Sequence, residues 1–194
     1  MQHLILGSQS PRRKEILNYF SYTFEQASPP FVEEEVLFLG NPELYTTTIS
    51  QGKARSLSSK FPKSLILTAD TIVYKDGKVY GKPKTLEDAA LILSEFSGNW
   101  HSVFTSVSLL FNHQIWSKCE ESRVLFNQLS PEEISHYHSR LDWTDKAGGY
   151  TVQMAGGLAV NRIEGCYYNV LGLPINTVRQ LLKHVDIDLW DYIR

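Results

Sequence analysis

Apolar positions recur along this chain in two rhythms. Short continuous or alternating runs predict strands, and apolar residues spaced three or four apart predict helices. Leu4-Ile5-Leu6 predicts a buried strand that Gly7 and Ser8 end. Ser10 then stands as an N-cap and Pro11 suits the first helical position, where its missing N–H costs nothing; Ile16, Leu17 and Phe20 form one apolar face. Tyr22 to Ala27 predicts a second strand, closed by Ser28-Pro29-Pro30. Glu33, Glu34 and Glu35 follow in a loop that the prolines hold out of helix. Asn41-Pro42-Glu43 opens a helix to about Lys60, with Ile49 and Leu57 facing inward.

Ser64 to Ala69 is nearly continuous in apolar character and predicts a central strand buried on both faces, ending in Asp70-Thr71. Ile72–Tyr74 and Val79–Tyr80 flank Asp76-Gly77 as a hairpin. Thr85 caps a helix through Phe96, and Gly98 stops it. His101 to Phe111 and Ile115 to Phe126 are long strands paired across Asn112-His113. Ser130-Pro131-Glu132-Glu133 is a capping box opening a helix to about Arg140. The stretch 141–173 is irregular and rich in glycine, and Pro174 opens a last helix to about His184. Strands and helices mix without strict alternation. That pattern predicts an α/β (mixed α+β) fold, a mixed sheet with flanking helices, in one domain over residues 1–194.

Composition narrows the function. A formal net charge of −2 supplies no broad basic field, which argues against a nucleic-acid partner and leaves polyanion recognition to a local pocket. No apolar run is long enough to span a bilayer, and the first residues enter a strand with no signal-peptide pattern. Cys119 and Cys166 make neither a disulfide framework nor a zinc site. They read as buried free thiols, and the cytoplasm is the default location.

The first loop carries the clearest chemistry. Strand, short polar loop and helix N-terminus together favour an anion; Ser8 and Ser10 add hydroxyls, and Arg12 and Arg13 add guanidinium forks. Two arginines in a first helical turn oppose the helix dipole, a conflict that a bound anion relieves; a solvated basic helix end is the plainer alternative. Asp70, at the predicted strand end, suits metal or base work, and equally an ordinary turn. The three glutamates read as a solvated face, one of which can join Asp70 around Mg²⁺, without the sequence choosing which. Lys53 and Lys82 each read alone as surface lysines near element ends; with Arg12 and Arg13 they suffice to neutralise a triphosphate. In Asp145-Lys146-Ala147-Gly148-Gly149-Tyr150, paired glycines allow close backbone approach to a ligand. Gln153 beyond them can read a base edge or simply be a buried structural amide. His136 and His138 read as surface residues, and His101 has no partner suggesting nucleophilic catalysis. No Walker A, GxGxxG, HExxH or GxSxG pattern occurs.

Taken in order, several segments resemble the Maf family of nucleoside triphosphate pyrophosphatases. They are Ser8-Gln-Ser-Pro-Arg-Arg13, Gly52-Lys-Ala54, Ala69-Asp-Thr71, Gly81-Lys-Pro83, His101-Ser-Val-Phe-Thr105, Asp145 to Tyr150, Gln153 and Glu164 to Pro174. Each is weak alone, but the ordered set covers nearly the whole chain. The resemblance implies an elongated fold with two lobes around a central cleft, similar to the inosine triphosphate pyrophosphatases. It implies hydrolysis of a nucleoside triphosphate to the monophosphate and pyrophosphate with a divalent cation, Mg²⁺ or Mn²⁺. By the family pattern Asp70 is the proton acceptor, and Ser8, Arg13, Glu33, Lys53 and Lys82 are polar pocket positions. Arg12, Thr71 and Gln153 fall where subfamilies differ and look like the dTTP/UTP branch rather than the 7-methyl-GTP branch. Thr151 and Met154 depart from the smaller residues usual there. The resemblance also suggests a homodimer. A non-catalytic nucleotide-binding regulator is the alternative of another class, using the same pocket without needing Asp70.

Overall fold

The computed structural model describes residues 2–194. One seven-stranded mixed sheet organises them, in the order β2-β1-β3-β5-β6-β7, with β4 also paired to β3. The strands are β1 (Leu4–Gly7), β2 (Phe24–Ala27), β3 (Leu65–Lys75), β4 (Lys78–Tyr80), β5 (Trp100–Phe111), β6 (Gln114–Phe126) and β7 (Val160–Glu164). β1 lies parallel to β2 and β3, and the remaining pairings are antiparallel. The helices are α1 (Pro11–Leu17), α2 (Pro42–Ser58), α3 (Leu86–Phe96), α4 (Pro131–Arg140), α5 (Tyr167–Val170) and α6 (Ile175–Leu182).

The expected caps form. The side chains of Ser10, Asn41 and Thr85 accept from backbone N–H groups three residues on, and Ser130 with Glu133 completes the capping box. Both hairpins turn on left-handed pairs, Asp76-Gly77 and Asn112-His113. Three expectations about the elements fail. Glu33–Glu35 form one 3-10 turn instead of a loop, since the prolines bar helix only for the residues before them. β3 does not end at Asp70 but runs on to Lys75, the hydroxyl of Thr71 being satisfied inside the sheet. β7 was hidden inside the glycine-rich stretch, because its five residues carry Asn161 and Arg162 outward on an edge.

Alternation along β3 divides the molecule. Leu65, Leu67 and Ala69 face a cluster built with Leu4, Leu6, Ile16, Leu17, Val178, Leu181 and Leu182. Further along the same face, Val73 joins a second cluster with Leu93, Phe96, Val103, Phe126 and Tyr150. Ile66 turns to the opposite face, against Ile5, Ala54 and Leu57 under α2. Ile16 and Leu17 are each only 2% exposed. Burying each contributes about 1.5–3 kcal/mol, which outweighs the roughly 0.3–1 kcal/mol that each arginine costs against the dipole of α1.

α2 sits on the sheet through hydroxyls as much as through hydrocarbon. Ser50 Oγ bonds with Ser106 (3.2 Å) and Ser108 (2.8 Å), and Thr68 Oγ1 donates to the Ser50 carbonyl at 2.7 Å. Small side chains let the helix lie close to β1. A Cβ on Gly7 would stand 2.7 Å from both Leu57 Cδ1 and Thr68 Cγ2.

The chain's last residues fold back on the body. Leu189 is buried, Tyr22 and Tyr192 meet edge-on at 4.8 Å, and Tyr192 O accepts from the Ser21 N–H. Cys119, on β6 where that strand is partly open to solvent, and Cys166, at the start of α5, are free but half-buried. Among the described residues no helix is long and apolar enough to cross a membrane.

Gly7→Ala therefore pushes α2 off β1. Urea denaturation is expected to show a loss of about 1–3 kcal/mol, the usual cost of overpacking; an unchanged midpoint would mean that the helix retreats freely.

Candidate active site

The sheet has a gap, and the site lies in it. β1 pairs with β3 only as far as Thr68, and β4 joins the same edge only from Val73. Between them Asp70, Thr71 and Ile72 are paired by β5 alone, opposite Ser106, Thr105 and Phe104. The loop after β1 and the N-terminus of α1 stand at this open edge. The resulting cleft has a volume of about 640 Å³ and is lined by Ser8, Arg12, Arg13, Glu33, Lys53, Asp70, Thr71 and Lys82, among others.

Asp70 points to the α2 side. Its Oδ1 accepts from Lys53 Nζ at 2.8 Å, and the same ammonium reaches Glu33 Oε1 at 2.8 Å. Lys53 was expected near a helix end and at the surface. It lies instead in the interior of α2, 8% exposed, with its ammonium held between two carboxylates. Asp70 is 5% exposed, while the Glu33 side chain is half open to solvent. The 3-10 turn separates the three glutamates: Glu33 meets Lys53, Glu34 also lines the cleft, and Glu35 does not. The Tyr45 hydroxyl at the rim is pushed up in pKa by burial and then by Asp70 and Glu33.

Thr71, the next residue of β3, faces the opposite way. Arg13 Nη2 donates to Thr71 Oγ1 at 3.0 Å, Nη1 to Ser8 Oγ at 3.2 Å and Nε to the Gly172 carbonyl at 2.8 Å. Burial lowers the pKa of Arg13, opposed chiefly by the Asp70 charge, but a guanidinium stays protonated throughout. Arg12 reaches toward the Asp145 carbonyl at 3.5 Å; burial lowers its pKa, and Asp145 and Asp142 oppose the shift. Lys82 pairs with the Asp145 carboxylate across the mouth.

Gln153 is not among the lining residues, although Thr151 and Val152 before it are. Its backbone N–H donates to Thr151 Oγ1, in a chain that α4 clamps from behind: the Tyr137 hydroxyl accepts from Thr151 N and donates to Thr151 O, both at 2.9 Å. Met154 follows with φ of +51°, a left-handed conformation that glycine adopts without strain. His138 is buried, contrary to expectation, because its ring bonds the Gly149 carbonyl at 3.3 Å on the inward face of α4.

Behind the cleft wall His101 stacks on Phe96 at 4.2 Å and meets the Tyr150 hydroxyl at 2.7 Å through Nε2. Among the described residues its Nδ1 has no partner, and burial pulls its pKa down to about 3. The imidazole is therefore neutral and serves as a wedge in the second cluster. Sequence reasoning missed Tyr45 at the rim and, behind the front rank, Thr105 and Asn169. The available signal for two of them was polar side chains inside otherwise apolar strand or helix patterns.

The chain is similar to known proteins over nearly its whole length. The family model described as Maf-like protein matches residues 3–185. A protein of Chlamydia caviae named dTTP/UTP pyrophosphatase is 45% identical over 98% of this chain and 97% of its own length. One of the same name from Clostridium perfringens is 40% identical over 96% of this chain and 98% of its own. One from Chlamydia muridarum, named nucleoside triphosphate pyrophosphatase, is 41% identical over 98% of this chain and 97% of its own. Among solved structures, a nucleoside-triphosphatase / dITP/XTP pyrophosphatase from Mycobacterium abscessus aligns with a TM-score of 0.42 at 12% identity, over 72% of this chain and 95% of that one, a likeness too remote to bear on residue roles.

Two outcomes follow from the buried charges. Lys53→Met strands the Asp70 carboxylate and is expected to cost about 3 kcal/mol in denaturant unfolding; adding Asp70→Asn recovers most of it. If the double variant is no better than the single one, the pair does not hold α2 to the sheet. The second outcome concerns pH. Below the ordinary histidine value of 6.5 the unfolded chain takes a proton on His101 that the folded chain refuses until about pH 3. Stability contributed by this residue thus falls as pH drops through that window, by at most about 1.4 kcal/mol per pH unit. His101→Phe should flatten that limb, measured by urea melts across the window; an unchanged slope would place the proton elsewhere.

Proposed function

The chain belongs to the Maf family, and from that footing we propose that it is a nucleoside triphosphate pyrophosphatase acting on dTTP and UTP in the cytoplasm. The observation that carries the reading is the gap in the sheet. It puts a buried carboxylate, Asp70, opposite a fixed guanidinium, Arg13, across one cleft. The name dTTP/UTP pyrophosphatase, carried by two of these relatives, supports the two pyrimidine substrates. Arg12 and Thr71, which line the cleft, are assigned to selecting them, and Gln153 is assigned with them by the family resemblance although it stands outside the lining.

The residues present fit a hard divalent cation. Glu33 and Asp70 offer carboxylate oxygens to one point, now filled by the Lys53 ammonium at 2.8 Å from each. Mg²⁺ or Mn²⁺ commonly takes only one or two protein carboxylates, with phosphate oxygens and water completing its shell. When bound there, such an ion would withdraw charge from the phosphates and lower the pKa of a water.

In this reading the protein's own groups divide the work between anchoring the charge and activating water. The N–H groups after Ser8, with Arg13 and Lys82, hold the triphosphate chain. Lys53, held between the two carboxylates, would offer its ammonium to the phosphates. Asp70 accepts a proton from the water that attacks the α-phosphorus. The bond from that phosphorus to the bridging oxygen of the β-phosphate breaks, and pyrophosphate leaves with the charge that Arg13, Lys53 and Lys82 balance. Ordering of reactants and stabilisation of developing charge are the main terms in such transfers.

Asp70→Asn is expected to lower pyrophosphate release from dTTP and UTP by at least about a thousandfold, while calorimetry with chelator present still detects the nucleotide. Chelation of wild type should stop turnover equally. Nucleotide binding with no turnover in wild type, under Mg²⁺ or Mn²⁺, would instead identify a regulator. Preference for GTP or 7-methyl-GTP would overturn the base assignment and leave the reaction standing.

A further inference from the structure

A line of hydroxyls runs from Arg13 into the body of the protein, and its direction can be worked out. Thr105 Oγ1 lies 2.9 Å from the Asn169 carbonyl oxygen, which can only accept. Thr105 therefore donates there, and has a lone pair left for Thr71 Oγ1 at 2.9 Å. The proton in that second bond belongs to Thr71. With its proton committed, Thr71 presents only lone pairs to the cleft, and one of them takes the N–H of Arg13 Nη2 at 3.0 Å. Every bond in the line runs one way, from guanidinium to Thr71 to Thr105 to carbonyl.

The far end is fixed. Asn169 is wholly buried, its amide nitrogen donating to the Val103 carbonyl and to Ser122 Oγ at 2.9 Å each. Its segment turns back at Gly172, whose φ is +95° and where a Cβ would come within 3.0 Å of Thr71 Oγ1. That turn delivers the Gly172 carbonyl to Arg13 Nε at 2.8 Å. The guanidinium is thus held at Nε by the turn after α5, at Nη2 by Thr71 and at Nη1 by Ser8. Three of its five N–H donors are used, and two remain for a ligand.

We infer that Thr105, which does not line the cleft and touches no ligand, is a positioning residue: by fixing the direction of the Thr71 hydroxyl it holds Arg13 ready for an anion. The value of this for catalysis rests on the pyrophosphatase reading above; the order it imposes on Arg13 does not. Thr105 is wholly buried, so a Thr105→Val side chain of the same shape keeps the packing and removes only the relay, while Thr105→Ser keeps the relay.

The test has two readouts. In the ligand-free protein, NMR exchange of the Arg13 Nη2–H with water is expected to be about tenfold faster in Thr105→Val than in wild type and unchanged in Thr105→Ser, the scale of a lost hydrogen bond to a charged group. Equal exchange in all three overturns the inference, whatever the enzyme does. With dTTP and Mg²⁺, KM is expected to rise about tenfold in Thr105→Val, to return in Thr105→Ser, and to show no further rise when Thr105→Val is added to Arg13→Gln. A Thr105→Val protein that loses thermal stability but keeps its KM has a structural Thr105 only, and the inference fails. A wild type that turns over no triphosphate defeats the pyrophosphatase reading, and the exchange measurement still decides the relay.

Discussion

A strand in the middle of a sheet normally satisfies its backbone on both edges, and β3 does so everywhere except over a few residues. β1 is short, ending at Gly7, and β4 is shorter still. Neither reaches Asp70 or Thr71. This local shortage of neighbours opens the cleft. A longer β1 would have continued beside β3, and the turn into α1 would have been carried beyond Asp70. The same shortage lets both faces of the sheet reach one space. Asp70 arrives from the α2 side and Thr71 from the α1 side, because consecutive residues of a strand point opposite ways.

Filling such an opening with charge needs balance within it. Asp70 and Lys53 are both nearly excluded from water, and a lone charge at that depth would be strongly unfavourable. Placing one ammonium between two carboxylates leaves a net negative point near α2, while Arg12, Arg13 and Lys82 leave a positive wall near α1 and β4. The metal and polyphosphate of the proposed function are complementary to that division.

Much of this was legible in the chain, and the reason lies in local chemistry. Caps such as Ser10, Asn41 and Ser130 act within four residues, and turns such as Asp76-Gly77 act within two, so adjacent residues are enough to read them. The family resemblance named the front rank of the cleft by type. What could not be read was set by distance in sequence. Asp70 looked like a strand end because a carboxylate in an apolar run usually is one; only the arrival of Lys53 from α2 makes mid-strand burial tolerable. His138 looked like surface for want of a visible partner, and its partner is a carbonyl of the irregular stretch. β7 was masked because an edge strand can carry charged residues as freely as a loop.

The two hydrophobic clusters on one face of β3 bring these strands together. Ala69 belongs to the first cluster and Val73 to the second, and Thr71 stands between them. On β5 the same order holds, Val107, Thr105 and Val103. Had both threonines been valine, the clusters would have merged into one core, and nothing polar would reach Arg13 from below. The hydroxyls cost burial of polar atoms, tolerable only because each is bonded in sequence to a fixed carbonyl. The seam between the two clusters and the support of Arg13 are therefore one feature. An apolar core alone could build either cluster, but holding a guanidinium at their junction requires a polar line through it.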